Sequence, residues 1–124
     1  MPPAGGACEI LIVDDNADIV DMVRLILESS GYIIRTAANG AEALSELRRA
    51  GPARLILLDM MMPVMNGWQF RSEQLRDPTL ANIPIVVLTG DGTAREKAAE
   101  IGAVAYLKKP VELKLLMDTL ALYC

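Results

Sequence analysis

The apolar residues of this chain fall into short unbroken runs that alternate with longer periodic stretches. Ile10-Leu11-Ile12-Val13 is stopped by Asp14 and Asp15, which is how a strand buried on both faces of a parallel sheet reads. The form recurs. Leu55-Ile56-Leu57-Leu58 stops at Asp59, Ile85-Val86-Val87-Leu88 stops at Thr89, and Val104-Ala105-Tyr106-Leu107 leads into Lys108-Lys109-Pro110. Tyr32-Ile33-Ile34-Arg35-Thr36-Ala37 is more polar, as expected of a strand nearer an edge.

Between the runs the period is helical. Ile19, Val20, Val23, Ile26 and Leu27 share one face of a segment over 17–30 that Gly31 closes. Further helices are predicted over 41–50 after Asn39-Gly40, over 68–76 before Asp77-Pro78, over 93–101 before Gly102, and over 111–122 after Pro110. The last has Leu113, Leu116, Met117 and Leu120 as its expected apolar stripe. Strands alternating with helices in this way predict an α/β fold, a doubly wound parallel sheet with five helices on its two faces. Residues 1–8, which include Pro2, Pro3, Gly5 and Gly6, read as a flexible leader or linker remnant, and 9–124 as one domain.

Composition narrows the function. With 12 basic and 16 acidic residues the net charge is −4, and only five residues are aromatic. Both the positive field and the stacking platforms of nucleic-acid binding are missing, so no direct nucleic-acid contact is expected. The longest apolar runs are far below the roughly 18 residues of a membrane span, and a cytoplasmic location is expected. The chain contains no His, which leaves carboxylates, hydroxyls and lysines for any chemistry. Cys8 and Cys124 have neither metal nor redox spacing. Cys8 reads as a small apolar residue opening a buried strand, and Cys124 as incidental.

Ligands of open α/β sheets bind beyond the carboxyl ends of the strands. Here that edge carries Asp14 and Asp15 after the first strand, Asp59 on the third, Thr89 on the fourth and Lys109 on the fifth. Each has a structural alternative: Asp15 or Asn16 as a helix cap, Thr89 opening a turn, Lys109 as a solvated lysine. Together they form what a phosphoryl site needs. Carboxylates a few ångströms apart repel by about 4 kcal/mol per pair at an effective dielectric of 20, so such a site raises a pKa or binds a cation. With oxygen donors only, Mg²⁺ is the natural occupant.

These residues resemble the receiver domain of two-component response regulators. The resemblance spans about 9–122 and rests on Ile10-Leu11-Ile12-Val13-Asp14-Asp15, the stretch from Leu57-Leu58-Asp59 to Asn66-Gly67, Pro84 to Thr89, and Gly102-Ala103 through Tyr106-Leu107-Lys108-Lys109-Pro110. It implies a flavodoxin-like sheet of strand order 2-1-3-4-5. It also implies that Asp59 takes a phosphoryl group from the phosphohistidine of a sensor histidine kinase or phosphotransfer protein. Asp15, Asp59 and the Met61 backbone carbonyl would ligate Mg²⁺, with Asp14 helping through water, while Thr89 and Lys109 would bind phosphoryl oxygens. A cis bond between Lys109 and Pro110 is implied as well. Thr89 and Tyr106 would form a switch altering the face made by the fourth helix, fifth strand and fifth helix, read by an effector protein or a linked output domain. A monomer or weak homodimer is expected, since Leu115, Leu122 and Tyr123 can be exposed.

Met61 lacks the polar group that many receivers carry two positions after the acceptor, which points to a long-lived phosphoryl state, and Asp91 lies two positions after Thr89. Gly90 and Gly92 bracket Asp91 and leave that loop little stiffness. Four of the seven methionines lie in 60–65; Met60 and Met62 are expected to pack inward, with Pro63 and Asn66-Gly67 shaping a turn. The sole Trp, Trp68, is expected to pack at a helix start. A receiver-like interaction module working without phosphate would be expected to lose Asp59, Lys109 or part of the acidic pair. A phosphatase of the haloacid dehalogenase type wants a second Asp where Met61 stands, and a flavodoxin-like carrier wants hydroxyls where Asp14-Asp15-Asn16 would repel phosphate.

Overall fold

In the computed structural model the described residues are 8–90 and 92–124. The leader expected over 1–8 therefore lies outside them except for Cys8, as does Asp91. Ten elements follow one another in strict alternation: β1 (Glu9–Val13), α1 (Ala17–Ser29), β2 (Ile33–Ala37), α2 (Gly40–Ala50), β3 (Leu55–Asp59), α3 (Gly67–Arg76), β4 (Ile85–Thr89), α4 (Ala94–Ile101), β5 (Ala105–Lys108) and α5 (Leu113–Tyr123). The strands pair in parallel in the order β2-β1-β3-β4-β5, the doubly wound arrangement expected.

Because successive strand residues point to opposite faces, the apolar runs feed two cores. Leu11, Val13, Ile56, Leu58 and Val87 meet Leu44 and Leu47 of α2, Phe70 of α3 and Ile101 of α4. Ile10, Ile12, Leu57, Val86 and Leu88 meet Val20, Val23 and Leu27 of α1 and Leu116 and Leu120 of α5. Every residue of β3 and β4 is buried, Asp59 and Thr89 included. Three asparagines start helices by accepting backbone N–H bonds: Asn16 on α1, Asn39 on α2, and Asn66 on α3, where Gln69 completes a capping box. Among the described residues no helix is long and apolar enough to cross a membrane.

Four expectations need correction. Helix α5 begins at Leu113 rather than at 111, and Leu113 is 51% exposed; Leu116 and Leu120 face the core as expected and Met117 partly so, while Thr119 takes the remaining inward place. The residues after Pro110 are not yet helical, so Leu113 falls in a first turn that has not come down on the sheet. Thr119 is tolerated inside because its hydroxyl donates to the Leu115 carbonyl at 2.7 Å. Asn66 and Gly67 are not turn residues but the cap and first residue of α3. Cys8 sits with the strand it precedes rather than with a leader, as expected of an apolar residue opening β1: it is 5% exposed and its carbonyl accepts the Ile33 N–H at 3.1 Å. Finally, neither cysteine stands alone: Cys8 and Cys124 are joined in a disulfide. Linear spacing could not show this, because the pairing is created by the closure of the whole fold.

Gly67 positions the segment that follows Asp59. A Cβ there would lie 2.5 Å from the Met60 sulfur and 2.8 Å from Met60 Cα. Met60 is wholly buried, and the Gly67 N–H donates to its carbonyl at 3.0 Å. Gly67→Ala must therefore displace backbone, and should lower the unfolding free energy in urea by about 1–3 kcal/mol. An unchanged midpoint and slope would show that the Met60 backbone yields without cost.

Candidate functional site

The parallel sheet brings the carboxyl ends of β1, β3 and β4 side by side, and the polar residues stand there. Asp14 directly follows β1. Its backbone N–H donates to the Ala37 carbonyl at 3.1 Å, and its Oδ1 accepts the Asn16 N–H at 2.9 Å. Asp15 is exposed beside it. Asp59 is the last residue of β3, 5% exposed, with Oδ1 accepting the Met61 N–H at 3.2 Å. Carboxylate oxygens of Asp14, Asp15 and Asp59 lie within 4.8 Å of one another.

Lys109 enters from the far side. Its backbone N–H donates to the Thr89 carbonyl at 2.8 Å, which ties it to the end of β4, and its peptide bond to Pro110 is cis. The ammonium sits 2.7 Å from Asp14 Oδ2 and 3.6 Å from Asp59 Oδ2. Thr89 closes the group as the buried last residue of β4. The structure thus brings Asp14, Asp15, Asp59, Thr89 and Lys109 to one edge. The capping alternative holds for Asn16 and not for Asp15: the Asn16 side chain accepts the Asp18 and Ile19 N–H groups at 3.1 and 3.2 Å.

Met61 and Tyr106 are not enclosed with this group. Met61 is 61% exposed on the loop beyond Asp59, and Tyr106, on β5 opposite Val87, is 40% exposed. Met60 packs fully inward and Met62 partly so, as expected. Trp68 does more than pack at a helix start: its indole N–H donates to Glu100 of α4 at 3.3 Å and its ring lies 5.8 Å from the Lys97 ammonium. The grip of the Asn16 N–H on Asp14 was missed from the sequence, although the pattern Asp-x-Asn after a strand is its signal.

Electrostatics make Asp59 the unusual member. Burial pushes its carboxyl up to about 6, reinforced by the charges of Asp14 and Asp15 and opposed by the Lys109 ammonium and the Met61 N–H. Repulsion alone was the cause expected from the sequence; removal from water is the larger one. The Asp14 Oδ2 atom is enclosed and takes no hydrogen bond of proper geometry, with the Lys109 charge as its compensation. Three carboxylates within 4.8 Å of one another, one of them solvent-facing, form an acidic, oxygen-only donor set that suits a hard divalent cation.

The chain matches the family model described as "Response regulator receiver domain" over residues 10–121. It is 36% identical over 121 residues to the alkaline phosphatase synthesis transcriptional regulatory protein SphR of Synechococcus elongatus, covering 89% of this chain and 46% of that one. It is 35% identical over 118 residues to a 14.6 kDa protein of Leptolyngbya boryana described as uncharacterized, covering 94% and 89%. The structure of the chemotaxis protein CheY4 of Vibrio cholerae superposes with a TM-score of 0.86 at 32% identity, covering 96% of this chain and all of that one. The chain thus spans about half the length of some curated relatives and nearly all of others.

The raised Asp59 pKa links protonation to stability. Its ordinary value is 3.8 and its folded value about 6, so its protonation contributes stability that is present below about 3.8 and lost as pH rises through about 6. In metal-free buffer at pH 7.5, Asp59→Asn should be more stable than the wild type by about 3 kcal/mol. The gain should shrink toward pH 5 and on adding Mg²⁺. Urea titrations of both chains measure it, and a gain independent of pH would contradict the assignment.

Proposed function

The chain belongs to the response regulator receiver family, a signalling role, and on that premise we propose that Asp59 is its phospho-acceptor. The observation that carries the reading is the Lys109 ammonium set between two carboxylates, 2.7 Å from Asp14 and 3.6 Å from Asp59, where three acidic side chains converge. An Asp59 carboxylate oxygen attacks the phosphorus of a phosphohistidine, the phosphorus–nitrogen bond breaks, and the imidazole leaves with the bonding pair, taking up a proton from solvent. The donor is a sensor histidine kinase or a phosphotransfer protein.

Asp15, Asp59 and the Met61 backbone carbonyl would hold Mg²⁺, with Asp14 contributing through water. Bound there, the ion would offset the carboxylate repulsion and the charge of the incoming phosphoryl group. Lys109 exchanges part of its pairing with Asp14 and Asp59 for a phosphoryl oxygen, and the Thr89 hydroxyl donates to another. The side chains perform the positioning; the fold adds burial, which strengthens each of these charge-assisted contacts.

Thr89 and Tyr106 form the switch. Tyr106 lies outward at the edge of the sheet, 40% exposed, so an inward turn is open to it when Thr89 is drawn toward a phosphoryl group. The readout is the face of α4, β5 and α5, where Leu113 and Leu115 are also exposed. Its reader is an effector protein or a covalently linked output domain, and the location is cytoplasmic.

Incubation with Mg²⁺ and a small acyl phosphate, followed by intact mass, should give a single phosphoryl adduct that disappears in Asp59→Asn and in chelator. An adduct persisting in Asp59→Asn, or none in the wild type, would exclude the reading. Because Met61 offers no polar group beside the acyl phosphate, Met61→Asn should shorten the adduct's half-life several-fold. A half-life that hardly changes would remove Met61 as its determinant.

A further inference from the structure

The two cysteines lie at the opposite edge of the sheet from Asp59, where the strands begin. We propose that Cys8 and Cys124 form a reversible thiol–disulfide site that fastens the end of α5 to the start of β1. The proposal is independent of phosphoryl chemistry. The residues are 116 apart in sequence, yet their Cα atoms are 5.8 Å apart, within the roughly 5.5–6 Å most common for disulfides.

The approach is delivered by the fold rather than by the sulfur bond. On one side the Ile33 N–H at the start of β2 donates to the Cys8 carbonyl at 3.1 Å, and the Arg54 N–H just before β3 donates to the carbonyl of the next residue, Glu9, at 2.8 Å. On the other, the Cys124 N–H donates to the Leu120 carbonyl at 2.9 Å, and the Tyr123 hydroxyl donates to the Val104 carbonyl at 3.1 Å. Both cysteines pack on the same core, that of Ile10, Leu55 and Leu120. With only two cysteines in the chain, one intramolecular pairing exists.

Exposure orders the reaction. Cys8 is 5% exposed whereas Cys124 is half-buried, so a reagent meets Cys124 first. The Cys124 thiolate attacks a low-molecular-weight disulfide such as oxidised glutathione and expels one thiolate; the Cys8 thiolate then attacks the Cys124 sulfur and expels the second. Two protein thiols are oxidised, one small disulfide is reduced to two thiols, and the two cysteine protons pass to them. In a glutathione-buffered compartment such pairs rest reduced, so the site acts as a response to oxidant rather than as a permanent staple. When closed, it removes freedom from an unfolded loop spanning nearly the whole chain and pins the last turn of α5.

The test starts from the fully reduced chain and adds oxidised glutathione, with thiol alkylation and non-reducing intact mass as readouts. The expected product is a monomer lighter by two hydrogens with no alkylatable thiol, restored by dithiothreitol. Its Tm should exceed that of the reduced chain by about 10 °C, and amide exchange over 119–123 should slow. Cys124→Ser should show neither change while keeping the Tm of the reduced wild type. Cys8→Ala should stop at a mixed disulfide on Cys124; should that variant fail to fold, Cys124→Ser carries the control. A lasting mixed disulfide in the wild type, a cross-linked dimer, no reaction, or equal Tm in the two states would each overturn the proposal.

Discussion

A strand covered on both faces cannot carry an unpaired charge along its length, and for β3 and β4 that constraint organises the polar edge of the molecule. β3 and β4 are buried at every position, so any side chain there must be apolar or have a partner. Arg35, in the middle of the edge strand β2, is accommodated by pairing with Glu46 at 3.0 Å, whereas on β3 and β4 the polar residues stand at the carboxyl ends. Asp59 and Thr89 occupy the last positions of their strands, still enclosed by neighbours yet next to the open edge. Burial and access, which usually exclude one another, meet at that place. The shifted carboxyl of Asp59 is the electrostatic record of this position.

Lys109 is what makes the acidic edge foldable. Two buried carboxylates facing each other without a counterion would be costly, and the cost would fall on whichever element could move away. The ammonium bridges Asp14 and Asp59, and its own backbone is tied to Thr89, so one residue links the ends of β1, β3 and β4. A cation of this kind compensates charge without saturating it. One ammonium serves two of the three converging carboxylates, and Asp15 faces solvent, which leaves donor capacity at the edge.

The strands were legible because burial on both faces forces unbroken apolar runs, a pattern that amphipathic elements do not produce. The candidate site was legible for the complementary reason: an aspartate, a threonine or a lysine ending such a run departs from the rule that made the run readable. What stayed hidden depends on tertiary approach. The stripe of α5 shifted from Leu113 to Thr119 because the chain after Pro110 decides where the helix starts, which periodicity cannot report. The need for glycine at 67 arises from Met60, seven residues earlier, folding back on the helix start. The Cys8–Cys124 bond requires every crossover in the domain to be in place before its partners meet.

The two ends of α4 are held differently, and this decides how a change at the strand ends is transmitted. At its carboxyl end the Arg71 guanidinium of α3 donates to the Ile101 carbonyl at 2.8 Å, with Gln74 steadying it at 2.8 Å, and the Trp68 indole reaches Glu100. Its amino end follows Thr89 and Gly90 at the edge of the acidic cluster. On the proposed switch, a displacement of Thr89 would act at the amino end of α4, while α3 holds its carboxyl end. Arg71 is half-buried, so this restraint is screened less than the surface ion pairs of α1 and α5. Trp68 and Arg71 thus fasten the carboxyl end of α4 to α3, at the end away from the acidic cluster.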